Sequence, residues 1–251
     1  MVTPTVNPNL VFASGVLVPQ KIVGLGYFKE LSNVYPETTT LFPQVSVLGS
    51  VVLRAQELAD RISEKFPTGE VHIIAHSMGG LDARCLLAKN LNGLADKGRV
   101  VSLSTISTPH RGSPVADLLL GHPMGLEFPF QDFLKQFASA NAHALLDLTT
   151  TGAPGFSERD PVPGVRYFAY AGAGLESALL FATHVVIQTS DGENDGMVSV
   201  NSATWPSALA ETEWDQADHF AEIGYDLNRP DLTTTFDFKD AIVRIIARAT
   251  S

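Results

Sequence analysis

The segment VHIIAHSMGGLDARCLL, Val71 to Leu87, restricts the fold more than any other stretch of the chain. Its first six residues carry no Asp, Glu, Lys or Arg, so a strand made from them has to be covered on both sides, as in a parallel sheet buried between layers of helices. A helix follows, expected from about Met78 to Asn90. The neighbouring sequence repeats this order. LVFAS (Leu10 to Ser14) reads as a buried strand, YFKELSNVY (Tyr27 to Tyr35) as a short helix and FPQVSVLG (Phe42 to Gly49) as another strand. Ser50 to Phe66 reads as an amphipathic helix with Ser50 as N-cap and Val52, Leu53, Leu58, Ile62 and Phe66 along one side. RVVSLSTIS (Arg99 to Ser107) and GVRYFAYAG (Gly164 to Gly172) supply further strands, an apolar helix is expected near Leu175 to Gln188, and AIVRIIARA (Ala241 to Ala249) closes the chain as a helix. Strands alternating with helices, without a repeat of fixed period, predict a doubly wound α/β sheet. After Gly112 the alternation stops: residues 113–160 hold short helical runs and no strand of comparable strength, and read as a helical insertion.

Such a sheet needs a large core, and 251 residues, 45% of them apolar and 18% charged, with a mean hydropathy of +0.11, supply one; a single domain over residues 1–251 is expected. With 27 acidic against 17 basic residues, a net charge of −10 and no Lys/Arg cluster, nucleic acid is excluded as a partner. Apolar tracts such as ALLFATHVVI (Ala178 to Ile187) fall short of the roughly 18 residues of a spanning helix, so a soluble protein without a transmembrane segment is expected. The opening MVTPTVNPNLVFAS lacks the basic start and apolar stretch of a signal peptide, which leaves a cytoplasmic location and secretion with a trimmed signal both open. Cys85, the single cysteine, forbids an internal disulfide and reads as a small buried apolar residue. No feature of the sequence sets an oligomeric state.

A serine in the turn between a buried strand and a helix demands a reason. Ala75 and Gly79 stand two residues before and two after Ser77, so the backbone can pass closely on both sides and present the hydroxyl above the sheet, as in a nucleophile elbow. A turn serine or an N-cap would satisfy the same local pattern, so the reading needs partners elsewhere. A serine hydroxyl is a weak nucleophile at neutral pH and requires a histidine base oriented by an acid, in the chain order Ser, acid, His for such a sheet. Of the five histidines after Ser77, His110, His122 and His143 precede any strand that would carry the acid, and His184 falls in an apolar helix; His219 in QADHFAEIG remains. TSDGENDGMVSV offers Asp191, Glu193 and Asp195 in a turn-rich loop upstream. Asp195 is preferred with Asp191 in reserve, and spacing does not choose between them, since both stand in the common turn dipeptide Asp-Gly.

VHIIAHSMGGLDAR, VSLSTISTPHRGSPVAD (Val101 to Asp117), ALLDLTTTGAPGF (Ala144 to Phe156), ENDGMVSV and ADHFAEIG together resemble the motifs of bacterial true lipases, triacylglycerol lipases of the Pseudomonas and Burkholderia type. The resemblance spans most of the chain. It implies an α/β-hydrolase fold, a mostly parallel central sheet flanked by helices, with residues 113–160 as a helical lid or cap. It also implies Asp195 as the acid, deciding against Asp191, His219 as the base, and an oxyanion hole made by the backbone amides of Val16 and Met78. There are departures. Ala75 replaces the first glycine of the elbow, and Ser14-Gly15-Val16 stands where the family has His-Gly. The family's disulfide is absent. Ala221 occupies the place of a calcium-binding aspartate, with Glu222 one residue further on, so no metal is expected there. No cofactor is implied.

The insertion is the best guide to substrate, because Leu118, Leu119, Leu120, Met124, Leu126, Phe128, Phe130, Phe133, Leu134 and Phe137 exceed what a surface connection needs. As a lid they would cover the serine and meet a lipid surface, with Gly121, Pro123, Gly125 and Pro129 as hinge points; alternatively they form helices packed on the sheet. Leu17, His76, His110, Leu119 and Phe130 are candidate substrate contacts, and a structural hydrogen-bonding role for His76 and His110 is equally open. Asp82 and Arg84 read as surface residues or a local ion pair. The expected function is hydrolysis of lipid or small carboxylic esters with apolar acyl chains. An acyltransferase or polyester depolymerase on the same groups and a non-catalytic ligand-binding module are the alternatives, the last having no physical need of all three side chains.

Overall fold

The computed structural model describes residues 7–16, 24–47, 49–120, 142–153, 159–205 and 209–251. The chain runs through β1 (Asn9–Ala13), α1 (Leu31–Val34), β2 (Thr40–Leu41), α2 (Val51–Lys65), β3 (Val71–His76), α3 (Met78–Ala88), β4 (Val100–Ile106) and α4 (Pro114–Leu119). It continues through α5 (Ala142–Leu146), β5 (Arg166–Gly172), α6 (Phe181–Ser190), α7 (Val200–Ala203), β6 (Leu209–Trp214) and α8 (Phe238–Thr250). The six strands of the described residues form one sheet in the order β2-β1-β3-β4-β5-β6, every neighbouring pair parallel. After β1 the chain adds β2 on one side and then β3 on the other. This reversal leaves a crevice at the carboxyl ends of β1 and β3, where open α/β sheets place their ligands.

The two faces are filled as the period of a strand dictates. Val11 and Ile73 point into a cluster with Leu58 and Ile62 of α2 and Leu81 of α3, whereas Leu10, Phe12 and Ile74 point into another with Ile242 and Ile245 of α8. Each such side chain taken fully out of water contributes about 1.5–3 kcal/mol. All six residues of β3 are buried, which is why its sequence shows no polar face. Cys85 is buried as expected.

Several elements differ from the sequence reading. Only Thr40–Leu41 pair with β1 where a strand over Phe42 to Gly49 was expected, since Pro43 has no N–H for the ladder. The helix expected over Tyr27 to Tyr35 shrinks to Leu31–Val34, after Glu30 in a left-handed conformation at φ 59°. Ser50 caps α2 as expected, its hydroxyl accepting from Leu53 N at 3.3 Å, but Val52 and Leu53 face solvent and Arg54 faces the core. β6, with the sequence LAETEW, was not anticipated: its two glutamates hide an edge strand from a search for apolar runs. Of the insertion, α4 and α5 are described; Met124, Leu126, Phe128, Phe133, Leu134, Phe137 and the expected hinges Gly121, Pro123, Gly125 and Pro129 lie outside the described residues. Among the described residues no helix is long and apolar enough to cross a membrane.

Candidate active site

Ser77 follows β3 directly, at the crevice, and holds φ 57° and ψ −133°, a conformation that costs a non-glycine residue about 1–3 kcal/mol. Its surroundings enforce it. Ser77 N donates to Ile106 O at 2.9 Å, while Thr108 Oγ1 at 2.9 Å and Gly80 N at 3.0 Å donate to Ser77 O. A Cβ on Gly79 would stand 2.6 Å from Ala13 O, and one on Gly15 would stand 2.8 Å from Ser77 Cβ, so small residues here answer to close backbone approach.

His219 Nε2 lies 3.1 Å from Ser77 Oγ, and His219 Nδ1 lies 2.7 Å from Asp195 Oδ2. Asp195 Oδ1 is occupied, accepting from Met197 N at 2.8 Å and Val198 N at 2.7 Å. Oδ2 is then left to accept the Nδ1–H of His219, which makes Nε2 the lone-pair side facing the serine. Such a chain can take a proton from an attacking hydroxyl and return it to a leaving group. Asp191, the reserve acid, is engaged elsewhere by Ser199 Oγ and by Asn201 Nδ2. The loop carrying His219 is braced by the preceding residue: Asp218 Oδ1 accepts from Phe220 N at 3.0 Å and Ala221 N at 2.9 Å, and Oδ2 from Ser177 N at 2.5 Å.

Behind the imidazole lies a second buried set, of which sequence reasoning singled out His76 but missed its partners. The ring of His76 sits 4.5 Å from that of His219; its Nδ1 is 2.8 Å from Tyr27 Oη and its Nε2 2.9 Å from Glu222 Oε2. Ser107 Oγ donates to Glu222 Oε1 at 2.5 Å. Burial, helped by the charge of Asp195, pushes Glu222 well above the carboxylate range, and burial beside His219 holds His76 well below the usual histidine range. Both shifts favour an uncharged pair. The available signal for Glu222 was its position three residues after His219, one short helical turn away. Among the described residues His76, His219 and Glu222 bring ligand atoms within 4.8 Å of one another, but a cation there would displace hydrogen bonds that all three already make.

Ser77 and His219 open onto a cleft whose other walls include Val16, Val115, Leu119, Leu145, Leu148 and Met197. Among the described residues, its lining side chains other than Ser77, Ser113 and His219 are apolar. Val16 and Leu119, named from the sequence, are in that wall. Met78 opens α3, where a backbone N–H has no partner within the helix. His76 and His110 are not among the described residues that line the cleft; of the two roles left open for them, the structure shows the hydrogen-bonding one. Buried polar rings need partners, and His110 has Arg84 Nη1 at 2.9 Å, Thr105 Oγ1 at 3.2 Å and the stacked ring of Trp205. Leu17 and Phe130 lie outside the described residues. Asp82 and Arg84 are neither exposed nor a local pair: Asp82 meets Arg54 of α2 at 2.8 Å, and Arg84 meets Asp160 under the Trp205 ring.

Burial lifts the Asp82 carboxyl to about 7 against the pull of Arg54. A carboxyl raised in folding contributes stability that is fully present below its unfolded value of about 3.9 and is lost as the pH rises through the folded one. Histidines held neutral by burial act in the opposite sense as the pH rises through about 6.5, so the share of Asp82 is read as the difference between wild type and Asp82→Asn. Across about pH 6.5 to 8, unfolding free energy from urea titration is expected to drop by about 1 kcal/mol more in wild type than in Asp82→Asn. The same pH dependence in the two proteins contradicts this expectation.

No known family profile matches the chain. Triacylglycerol lipase 2 of Saccharomyces cerevisiae is 33% identical over 179 residues, 66% of this chain and 52% of the yeast protein, so the chain spans about half the length of that relative. The mature lipase BlEst2 of Bacillus licheniformis matches with a TM-score of 0.71 at 23% identity, covering 97% of this chain and 92% of that one. Staphylococcus hyicus lipase matches with a TM-score of 0.64 at 20% identity, covering 98% and 97%. These structures share the parallel sheet flanked by helices that the alternation of strands and helices predicted.

Proposed function

We propose that this chain is a lipase- or esterase-like α/β-hydrolase that hydrolyses carboxylic esters with apolar acyl chains through a covalent acyl-enzyme. Ser77 Oγ attacks the carbonyl carbon while His219 Nε2 takes its proton; the proton then goes to the departing alkoxide, and Asp195 keeps the imidazole in place and balances its transient charge. The amides of Val16 and Met78 receive the oxyanion. Water, deprotonated by His219, next attacks the acyl-enzyme, releasing the carboxylate and restoring Ser77. One observation carries this reading: the 3.1 Å and 2.7 Å hydrogen bonds linking Ser77, His219 and Asp195 stand at the mouth of an apolar cleft.

Two further features support its finer parts. Val115, Ala116, Leu119, Leu145 and Leu148 bring α4 and α5 with its following turn, described parts of the 113–160 insertion, to the cleft, which supports its part as a cap over a single domain. The yeast relative is named a triacylglycerol lipase, which supports acylglycerols among the substrates, and the motifs favour the Pseudomonas and Burkholderia kind. Nitrophenyl esters from acetate to palmitate test the substrate class. Each methylene taken from water is worth about 0.8 kcal/mol, so kcat/KM is expected to rise about fourfold per added carbon until the cleft is filled. Equal rates on acetate and octanoate contradict the apolar acyl site; no turnover of any ester contradicts the hydrolase.

A further inference from the structure

Arg54 is a cation with 1% of its surface exposed, on a face of α2 otherwise given to Val51, Ala55, Leu58, Ala59 and Ile62. A buried guanidinium is costly unless its donors are used. Here they are spread over three segments: Nε donates to Asp82 Oδ2 at 2.9 Å, in an ion pair that also brings Nη2 to 2.8 Å of that oxygen, while Nη1 donates to Ser46 O at 2.9 Å and Nη2 to Ser14 O at 2.8 Å. The bond to Ser14 O is the informative one. That carbonyl belongs to the peptide joining Ser14 to Gly15, and a trans peptide is planar with its O and H on opposite edges. On the other edge stands Tyr27, whose phenol oxygen interacts with the Gly15 backbone amide and would lie 2.5 Å from a Cβ on Gly15. With this plane gripped at both edges, the next amide, that of Val16, keeps only rotation about the backbone bonds of Gly15. That residue is itself wedged against Ser77. The Ser14 carbonyl also packs on α3, 2.8 Å from where a Cβ of Gly79 would be, next to the Met78 amide.

We propose that Arg54 and Tyr27 are positioning residues that clamp the Ser14–Gly15 peptide and thereby set the Val16 amide against that of Met78 as an oxyanion hole, an inference resting on the ester-hydrolase reading above. Asp82 holds the guanidinium in line. Donors fixed in advance act on the charge that develops in the transition state and little on the bound ester. An opened clamp therefore lowers kcat and leaves KM nearly constant.

The test compares wild type, Ser77→Ala, Arg54→Lys and Tyr27→Phe for kcat and KM on nitrophenyl butyrate and for inhibition by butaneboronic acid, which forms a tetrahedral adduct on a serine. In both clamp variants kcat is expected to fall about 10- to 100-fold with KM within about twofold, and boronate affinity to fall by the same factor as kcat/KM. Circular dichroism establishes that each variant is folded; should Arg54→Lys not fold, Tyr27→Phe decides alone. Unchanged kcat and boronate affinity in a folded variant, or a loss confined to KM, overturns the clamp while an active wild type keeps the hydrolase reading. A wild type that turns over no ester and binds no boronate overturns both.

Discussion

Ser77→Ala is expected to lower kcat on any ester by about 10⁵- to 10⁶-fold while the protein stays folded. The elbow is held by main-chain bonds, Ser77 N to Ile106 O and the bonds from Thr108 and Gly80 to Ser77 O, none of which needs the hydroxyl. Alanine also keeps the Cβ against which Gly15 packs. What disappears is the one oxygen that His219 Nε2 faces at 3.1 Å. Stopped-flow or steady-state turnover of a nitrophenyl ester, with circular dichroism for the fold, measures both halves. A folded variant retaining more than about 1% of the wild-type rate places the nucleophile elsewhere.

Asp195→Asn should cost about 10⁴-fold in kcat, more than the loss of a charge in an exposed position would explain. The reason is geometric. Asp195 Oδ1 faces two backbone N–H donors and Oδ2 faces His219 Nδ1, so an asparagine NH₂ meets a donor whichever way it turns. Placed on the Oδ1 side it orphans the amides of Met197 and Val198; placed on the Oδ2 side it drives the His219 proton to Nε2, where it blocks the serine. The expected signature is a loss in kcat with KM changed far less, and a steeper recovery at high pH. An Asp195→Asn protein within tenfold of wild type at neutral pH contradicts this role.

The elements most legible in the sequence were those whose environment is uniform. β3 is buried on both faces and α3 is buried along its length, so the run from Val71 to Leu87 showed in its composition what it packs against. Ser77 stood out because the close approach of Ala13 O, Ser14 O and Gly15 left room for nothing larger than glycine and alanine around it. Asp195 could not be told from Asp191 by spacing, since what separates them is which oxygen the chain's own amides occupy. Arg54, Tyr27, Ser107 and Glu222 come from segments remote in sequence, and a count of apolar side chains cannot see a cation turned inward. Val52 and Leu53 lie off the buried stripe, which runs through Val51, Arg54, Ala55, Leu58, Ala59 and Ile62. His76 and His110 flank the site in sequence yet belong to the layer beneath it, because each found buried partners before it could reach the cleft.

The central claim, that Ser77 is a nucleophile activated by His219, is tested most directly by covalent labelling with a fluorophosphonate followed by intact-mass and peptide mass spectrometry. The account predicts one label per chain, on the peptide containing Ser77, formed at the same rate as ester turnover is lost, absent in Ser77→Ala and strongly slowed in His219→Ala. A label on any other residue, or full loss of turnover with Ser77 unmodified, would contradict it.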